Sequence, residues 1–164
     1  MFYIDTSVIV AALDLTDPRR SSALKFLQTS KDKAISELVI AELINILARS
    51  RDLLKPRIYE IGRTEALSLL TILLYLIRRF DLRYYEVKGS MRTPLGRFSI
   101  PIGYAIELVP KIRLKTLDLL HISYVKALKD KGIPIRTLAT MDMDFKKVEK
   151  QITDNLEVEV YIVG

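Results

Sequence analysis

Four acidic residues stand where the surrounding sequence is apolar, namely Asp5, Glu42, Asp118 and Asp142. Asp and Glu are rarely buried without a partner, because an isolated buried carboxylate costs several kcal/mol or gives up its charge. Several such acids placed together would also repel one another. A divalent cation removes both penalties, and carboxylate oxygens are the ligands that suit Mg²⁺ or Mn²⁺.

The elements that must position these acids alternate between strands and helices along the chain. Apolar runs predict strands at 2–4, 34–35, 82–87, 135–140 and 156–163. Helical patterns and caps predict helices at 8–13, from Asp17-Pro18 onward, 37–50, 59–79, 100–109 and 116–131, with one helical turn at 145–148. This order predicts an α/β fold, a parallel sheet with helices on both faces, in a single domain over residues 1–164.

The predicted sheet explains how acids remote in sequence can meet. Asp5 ends the first strand and Asp142 follows the fourth, while Glu42 and Asp118 lie near the starts of their helices. In doubly wound sheets the carboxyl ends of the strands form the binding crevice. Each acid alone has an ordinary explanation, such as a helix cap, an exposed helix position or a turn. A common edge for all four favours the metal site over four separate explanations.

The formal charge of +6 is concentrated in residues 78–115, which carry nine cations and three acids, so the rest of the chain is neutral. Such a local basic stretch is typical of a polyanion-binding surface, although a solvated basic face would look the same. Residues 88–97 hold two glycines, one proline and three cations, and we expect an exposed loop there.

Composition excludes several kinds of site. The chain has no Cys, which excludes disulfides and thiolate zinc sites, and a single histidine, His121, which excludes sites built from several imidazoles. The N-terminus lacks the basic start of a signal peptide, and no apolar stretch is long enough to span a bilayer. We therefore expect a cytoplasmic protein that does not insert into a membrane.

Four segments in order resemble the PIN-domain family, which includes the VapC-type toxins of toxin–antitoxin systems. They are Tyr3-Ile4-Asp5-Thr6-Ser7, Ser36 to Leu43 around Glu42, Leu117-Asp118-Leu119-Leu120-His121, and Thr140-Met141-Asp142-Met143-Asp144-Phe145. Each motif is short, but together they run almost the length of the chain. No family motif matches residues 78–110, which are also the basic part of the sequence.

The resemblance implies a three-layer α/β/α sandwich with a mostly parallel central sheet, and Mg²⁺- or Mn²⁺-dependent cleavage of RNA. By position, Asp5 and Asp118 correspond to the main metal ligands, with Glu42 and Asp142 as supporting ligands. Residues that the resemblance places near the site in lesser roles are Asp144, Thr6, Ser7, Thr140 and His121, the last as a neighbour of the ligands. The resemblance also implies homodimers and, for a toxin, an antitoxin partner.

The leading hypothesis is an endoribonuclease whose basic segment holds RNA through salt-sensitive phosphate contacts. The residues expected to bind RNA are Lys88, Arg92, Arg97, Arg113 and Lys115. Two alternatives remain open at this point. One is a non-catalytic RNA- or protein-binding module on the same fold, and the other is a structure-specific DNA nuclease. A toxin and a housekeeping enzyme are equally compatible with these residues.

Overall fold

Seven strands, five of them in one parallel sheet, appear in the computed structural model, which describes residues 1–49 and 65–164. In chain order the strands are β1 (Phe2–Ile4), β2 (Lys33–Ile35), β3 (Leu82–Tyr84), β4 (Ser90–Thr93), β5 (Gly96–Ser99), β6 (Thr137–Thr140) and β7 (Glu159–Ile162). The central sheet has the order β3-β2-β1-β6-β7, and all of its neighbours pair in parallel. The antiparallel pair β4-β5 forms a separate hairpin.

Helices connect the strands and flank the sheet. Within the described residues they are α1 (Thr6–Leu13), α2 (Arg20–Thr29), α3 (Glu37–Arg49), α4 (Glu65–Arg79), α5 (Ile100–Leu108), α6 (Thr116–Asp130), α7 (Met143–Lys147) and α8 (Glu149–Leu156). The chain proceeds from β1 outward through β2 to β3, and then returns to β6 on the other side of β1. Because such crossovers are right-handed, α1–α4 cover one face of the sheet and α5–α8 the other. The three-layer α/β/α sandwich is therefore confirmed.

The switch point of the sheet lies between β1 and β6, and it fixes where the acids meet. Ile4 pairs with Ala139, and the backbone N–H of Asp5 donates to the carbonyl of Ala139 at 2.9 Å. The carboxyl ends of the two central strands are thus side by side. Both strands are buried, with Tyr3, Ile4, Leu138 and Ala139 fully inaccessible to solvent, so the crevice at their ends rests on a rigid core.

Most predicted elements are confirmed, and their ends differ by a few residues. The third predicted strand, β3, ends at Tyr84, and the fourth predicted strand, which is β6, begins at Thr137. Both are shorter than predicted. The second helix begins at Arg20 and not at the predicted Asp17-Pro18 cap. Two predicted helix ends lie outside the described residues. They are the start of the long helix at residue 59 and the end, at Ser50, of the helix that begins at residue 37.

Two predictions of local structure were wrong. Residues 88–97 are not an open loop, because Ser90–Thr93 and Gly96–Ser99 pair as an antiparallel hairpin around Pro94 and Leu95. Alternating polar and apolar residues satisfy a two-stranded ribbon, and the glycines and proline only mark its ends. The last strand does not begin at Leu156, since Glu149–Leu156 is helical and β7 starts at Glu159.

No helix in residues 1–49 and 65–164 has the length and apolar character needed to cross a lipid bilayer.

Candidate metal centre

Asp5 is held at the carboxyl end of β1 by hydroxyl groups. Its Oδ2 accepts hydrogen bonds from Thr140 Oγ1 at 2.7 Å and from Ser7 Oγ. The two hydroxyls in turn accept from the backbone N–H groups of Met141 and Asp142, each at 3.0 Å. Each hydroxyl therefore directs its one proton at Asp5. Asp5 occupies the N-cap position of α1 but makes no capping hydrogen bond, so helix capping does not explain this acid.

Glu42 and His121 complete a buried cluster around Asp5. His121 Nε2 lies 2.9 Å from Glu42 Oε2 and 3.2 Å from Asp5 Oδ1, and Thr6 Oγ1 also donates to Glu42 Oε2. Burial alone would raise the pKa of Glu42, but the hydrogen bonds from His121 and Thr6 outweigh it and lower the pKa. Glu42 is therefore held as a carboxylate, and Nε2 of His121 must carry the proton that Glu42 accepts.

The second imidazole nitrogen of His121 is fixed by a buried chain of hydroxyls. Nδ1 lies 3.0 Å from the Tyr3 hydroxyl, which lies 2.7 Å from Ser36 Oγ. Burial lowers the pKa of His121, yet the hydrogen bond to Glu42 and the charges of Asp5 and Glu42 raise it more, so the net shift is upward. Neither Tyr3 nor Ser36 was expected at the site, although both lie inside the segments that carry the family resemblance.

Asp118 faces this cluster from the first turn of α6 and carries an unsatisfied oxygen. Among the described residues, no hydrogen-bond donor reaches its buried Oδ2. The pKa of Asp118 is raised, first by burial and then by the negative charges of Asp142 and Asp5. A buried polar atom without a partner is costly, and here it lies within the field of two more acids. A cation is the group that would satisfy this oxygen.

Asp142 and Asp144 lie beside Asp118, and among the described residues lysines pair with only one of the two. Asp142 caps α7 by accepting the backbone N–H of Asp144 at 2.8 Å. The carboxylate of Asp144 accepts from Lys115 at 2.8 Å and from Lys147 at 2.7 Å, and these hydrogen bonds lower its pKa to about 2. Lysine ammonium groups thus already neutralise Asp144, whereas Asp118 and Asp142 have no such partner in the residues described.

The structure places the predicted acids in two groups, Asp5 with Glu42 and Asp118 with Asp142. Oxygen or nitrogen atoms of Asp5, Glu42 and His121 lie within 4.8 Å of one another, and so do oxygens of Asp118, Asp142 and Asp144. The charge of Asp5 also contributes to the raised pKa of Asp118, after burial and the charge of Asp142. The donor set consists mainly of carboxylate oxygens, which fits Mg²⁺ or Mn²⁺.

The family model of the PIN domain matches residues 2–151 of the sequence. The chain belongs to the PIN-domain family. No curated protein matches its sequence significantly.

Solved structures with a similar fold include three bacterial proteins, one of them described as a toxin. VapBC2 from Rickettsia felis, bound to a DNA fragment from its promoter, superposes with a TM-score of 0.58 at 18% identity over 100% of both chains. VapC20 of Mycobacterium tuberculosis, a toxin that cleaves the sarcin–ricin loop, gives 0.55 at 18% identity over 90% of this chain and 95% of its own. FitAcB from Neisseria gonorrhoeae gives 0.57 at 15% identity over 98% and 96%. At these identities the likeness shows the fold of this PIN domain alone.

The predicted RNA-binding residues of this PIN domain lie on two segments of the structure. Arg113 and Lys115 are exposed on the segment that leads into α6, beside the acids. Arg92 and Arg97 are exposed on the hairpin, and Lys88 precedes it and forms an ion pair with Glu86 at 2.9 Å. Along the chain, α5 lies between the two segments.

Proposed function

We propose that this PIN domain is a divalent-metal-dependent endoribonuclease that hydrolyses phosphodiester bonds of RNA. The observation that carries the proposal is the buried Oδ2 of Asp118, which has no partner among the described residues, in an acid grouped with Asp142. PIN domains generally use divalent metal ions. A chain that gathers this many carboxylates at one sheet edge needs such an ion for them to coexist.

The residues proposed to hold the ion are Asp5 and Asp118 as principal ligands, with Glu42 and Asp142 in support. Asp144 is less suited, because Lys115 and Lys147 already occupy both of its oxygens. His121 serves the site by donating its Nε2 proton to Glu42, with Asp5 Oδ1 at ion-pair distance from the same nitrogen. Mg²⁺ and Mn²⁺ both accept such an oxygen-rich donor set.

The bound cation would supply positive charge for the phosphate oxygens and lower the pKa of an attacking water. The residues of the chain hold the carboxylates in position. Ser7 and Thr140 fix Asp5, and Thr6 and His121 fix Glu42, so that the carboxylates are arranged before substrate arrives. Lys115, which stands exposed next to the acids, would hold a phosphate of the RNA at the mouth of the crevice.

The test is cleavage of matched RNA and DNA oligonucleotides with Mg²⁺, with Mn²⁺ and with EDTA. Removing a main ligand costs several kcal/mol of transition-state stabilisation, so Asp5→Asn and Asp118→Asn should each reduce RNA cleavage more than about a hundredfold. Asp154→Asn removes an exposed acid of α8 and is the matched control, which should retain wild-type activity.

Two results would replace this proposal. RNA binding that is equal in Mg²⁺ and EDTA, with no cleavage of any substrate, would point to a non-catalytic binding module. Faster cleavage of the DNA oligonucleotide, or of a branched DNA, would point to a structure-specific DNA nuclease.

We further propose an antitoxin partner, in keeping with the toxin–antitoxin complexes among the structural neighbours. An open groove of about 490 Å³ between α1, α3 and α4 is lined mainly by apolar side chains. They include Val10, Leu13, Leu43, Leu47, Ile72 and Leu76, with Arg79 at one side. An apolar segment with an acidic residue would fit this lining. Co-expression with the product of the neighbouring reading frame should inhibit cleavage, and Leu13→Glu should abolish the inhibition.

A homodimer and a cytoplasmic location also remain proposals. One face of α4 leaves Leu67, Leu70, Leu74 and Tyr75 about half exposed, with relative accessibilities of 47–56%. An apolar helix face of this kind is typical of an association surface. Light scattering should give twice the mass of 18.8 kDa for the wild-type chain and the monomer mass for Leu70→Lys.

A further inference from the structure

The hairpin β4-β5 stands outside the central sheet and contributes nothing to the acidic site. Its register pairs Ser90 with Ser99, Met91 with Phe98 and Arg92 with Arg97, and Pro94 and Leu95 form the turn. Opposed residues of an antiparallel pair point to the same face. The hairpin therefore has a face that carries Met91 and Phe98 and a face that carries the two arginines.

The apolar face is seated on α5. Met91 and Phe98 are partly buried, and Met91 packs directly on the backbone of Gly103. A Cβ atom at Gly103 would come within 2.6 Å of Met91 Sδ and 2.9 Å of its Cβ, so only glycine permits this approach. The seat holds the hairpin at a defined position, and the arginine face is directed to solvent.

The arginine face carries an unfavourable arrangement. Arg92 and Arg97 lie directly opposite each other and are both exposed. Like charges in directly opposed positions destabilise a strand pair. In the described part of the chain neither guanidinium has a carboxylate within ion-pair distance. Guanidinium groups carry N–H donors that match the oxygens of phosphate groups. A bound polyanion would therefore offset the repulsion between Arg92 and Arg97.

The hairpin is anchored far from the acids. Only seven residues separate α5 from α6, so the two helices run antiparallel. The Tyr104 hydroxyl of α5 donates to Asp130 at the C-terminal end of α6. Asp118 lies twelve residues earlier on α6, which corresponds to about 18 Å along the helix axis. A ligand that reaches both places must be long and carry repeated negative charge.

We propose that the hairpin is an RNA-binding exosite, at which Arg92 and Arg97 hold the sugar–phosphate backbone of a substrate on the order of 20 Å from the bond that is cut. This inference rests on the proposed ribonuclease function. It assigns the substrate class as extended or structured RNA, because a short oligonucleotide at the acids would not reach the hairpin. One exposed leucine at the tip, Leu95, is too little apolar surface for stable membrane binding.

The experiment compares binding of a stem–loop RNA of about 20 base pairs and of a hexanucleotide by fluorescence anisotropy at several salt concentrations. The Asp5→Asn protein is used in EDTA, so that binding is measured without cleavage. Arg92→Gln/Arg97→Gln should weaken stem–loop binding roughly tenfold and reduce its salt slope by about 2, since two phosphate contacts are lost. Hexanucleotide binding should not change.

The matched control is Lys25→Gln/Lys31→Gln, which removes the same charge from exposed positions at α2 and its following turn, and should leave both affinities unchanged. With cleavage-competent protein, the double arginine variant should raise KM for the long RNA and leave kcat for the hexanucleotide intact.

Three results would overturn the exosite. They are wild-type stem–loop affinity in the arginine variant, an equal loss for both RNAs, and arginine-dependent binding to vesicles of anionic phospholipid without any effect on RNA. Wild-type protein that binds long RNA through the hairpin but cleaves nothing would instead contradict the nuclease proposal and leave the exosite standing.

Discussion

Nε2 of His121 lies 2.9 Å from Oε2 of Glu42, inside the protein and at the foot of the acidic crevice. The same nitrogen lies 3.2 Å from Asp5 Oδ1, so one imidazole joins an acid at the end of β1 to an acid on α3. The single histidine of the chain is therefore the main structural link between two proposed metal ligands. Its replacement should affect the arrangement of the acids before it affects the fold.

Replacing His121 by Gln should destabilise the protein by about 1–3 kcal/mol in EDTA, because Glu42 loses its imidazole hydrogen-bond donor and Asp5 a neighbouring positive partner. With saturating Mg²⁺ the loss should be smaller, since the cation then neutralises the same acids. Denaturant unfolding with and without Mg²⁺ measures both values. Ser123→Ala, a buried polar change on the same helix that touches Leu119 and no acid, should give a loss independent of metal. Equal losses of the His121 variant in both conditions would contradict the link.

Replacing Tyr3 by Phe should disturb the site without removing any ligand. The change removes the hydroxyl between Ser36 and Nδ1 of His121, so the imidazole loses the group that fixes its ring. Loss of such an outer partner lowers metal affinity by about tenfold or more. Because the chain has one histidine, ¹⁵N spectra of labelled imidazole report the change directly. Tyr124→Phe, on the same helix as His121, is the control. Identical spectra for wild type and Tyr3→Phe would refute the prediction.

Replacing Asp118 by Asn should stabilise the metal-free protein and abolish stabilisation by metal. The pKa of Asp118 is raised by burial, Asp142 and Asp5, so its ionised form is disfavoured in the folded state. That penalty is complete above the raised pKa and is relieved as pH falls toward the ordinary value of 3.8. At neutral pH in EDTA the Asn variant should melt above wild type, and in Mg²⁺ below it. The expectation fails if the variant melts lower in both buffers.

Asp144 should titrate far below an ordinary aspartate. Hydrogen bonds from Lys115 and Lys147 lower its pKa to about 2. The stability that these bonds contribute is therefore fully present above the ordinary pKa of 3.8 and is lost as pH falls from there toward about 2. Carboxyl ¹³C spectra should show this titration, and Lys147→Met should raise the pKa. Addition of Mg²⁺ at neutral pH should change the carboxyl ¹³C chemical shifts of Asp118 and Asp142 more than that of Asp144. The largest shift at Asp144 would show that it is a ligand after all.

The acids could be located from the sequence because their unfavourable placement is visible there. Asp5 and Asp118 interrupt apolar runs, and the strand–helix alternation puts the ends of β1 and β6 at one edge. The hydroxyl chain through Tyr3 and Ser36 was not predicted, since Tyr3 reads as an ordinary strand residue. Its role depends on a contact with His121 across 118 positions, which only the folded chain reveals.

The basic segment shows where composition fails as a guide. Nine cations lie in one stretch of the sequence, but in the structure Arg113 and Lys115 precede α6, whereas Arg92 and Arg97 belong to the hairpin. The sequence predicts a loop where the hairpin lies, because Gly89, Pro94 and Gly96 dominate the local pattern. Short strands outside the main sheet carry too few residues for alternation to outweigh such breakers.

Replacing Gly103 by Ala tests the seat of the hairpin without changing any charge. The new methyl would meet Met91 at its Cβ as well as its sulfur, so rotation of the side chain cannot relieve the contact and β4 must shift. We expect weaker stem–loop binding, similar to that of the arginine variant, with unchanged cleavage of a hexanucleotide. Met91→Ala in the same background should restore binding, because it empties the space that the methyl needs. Restored binding would show that RNA affinity depends on the position of the arginine face. If Met91→Ala does not restore binding, Gly103 acts through α5 and not through the hairpin.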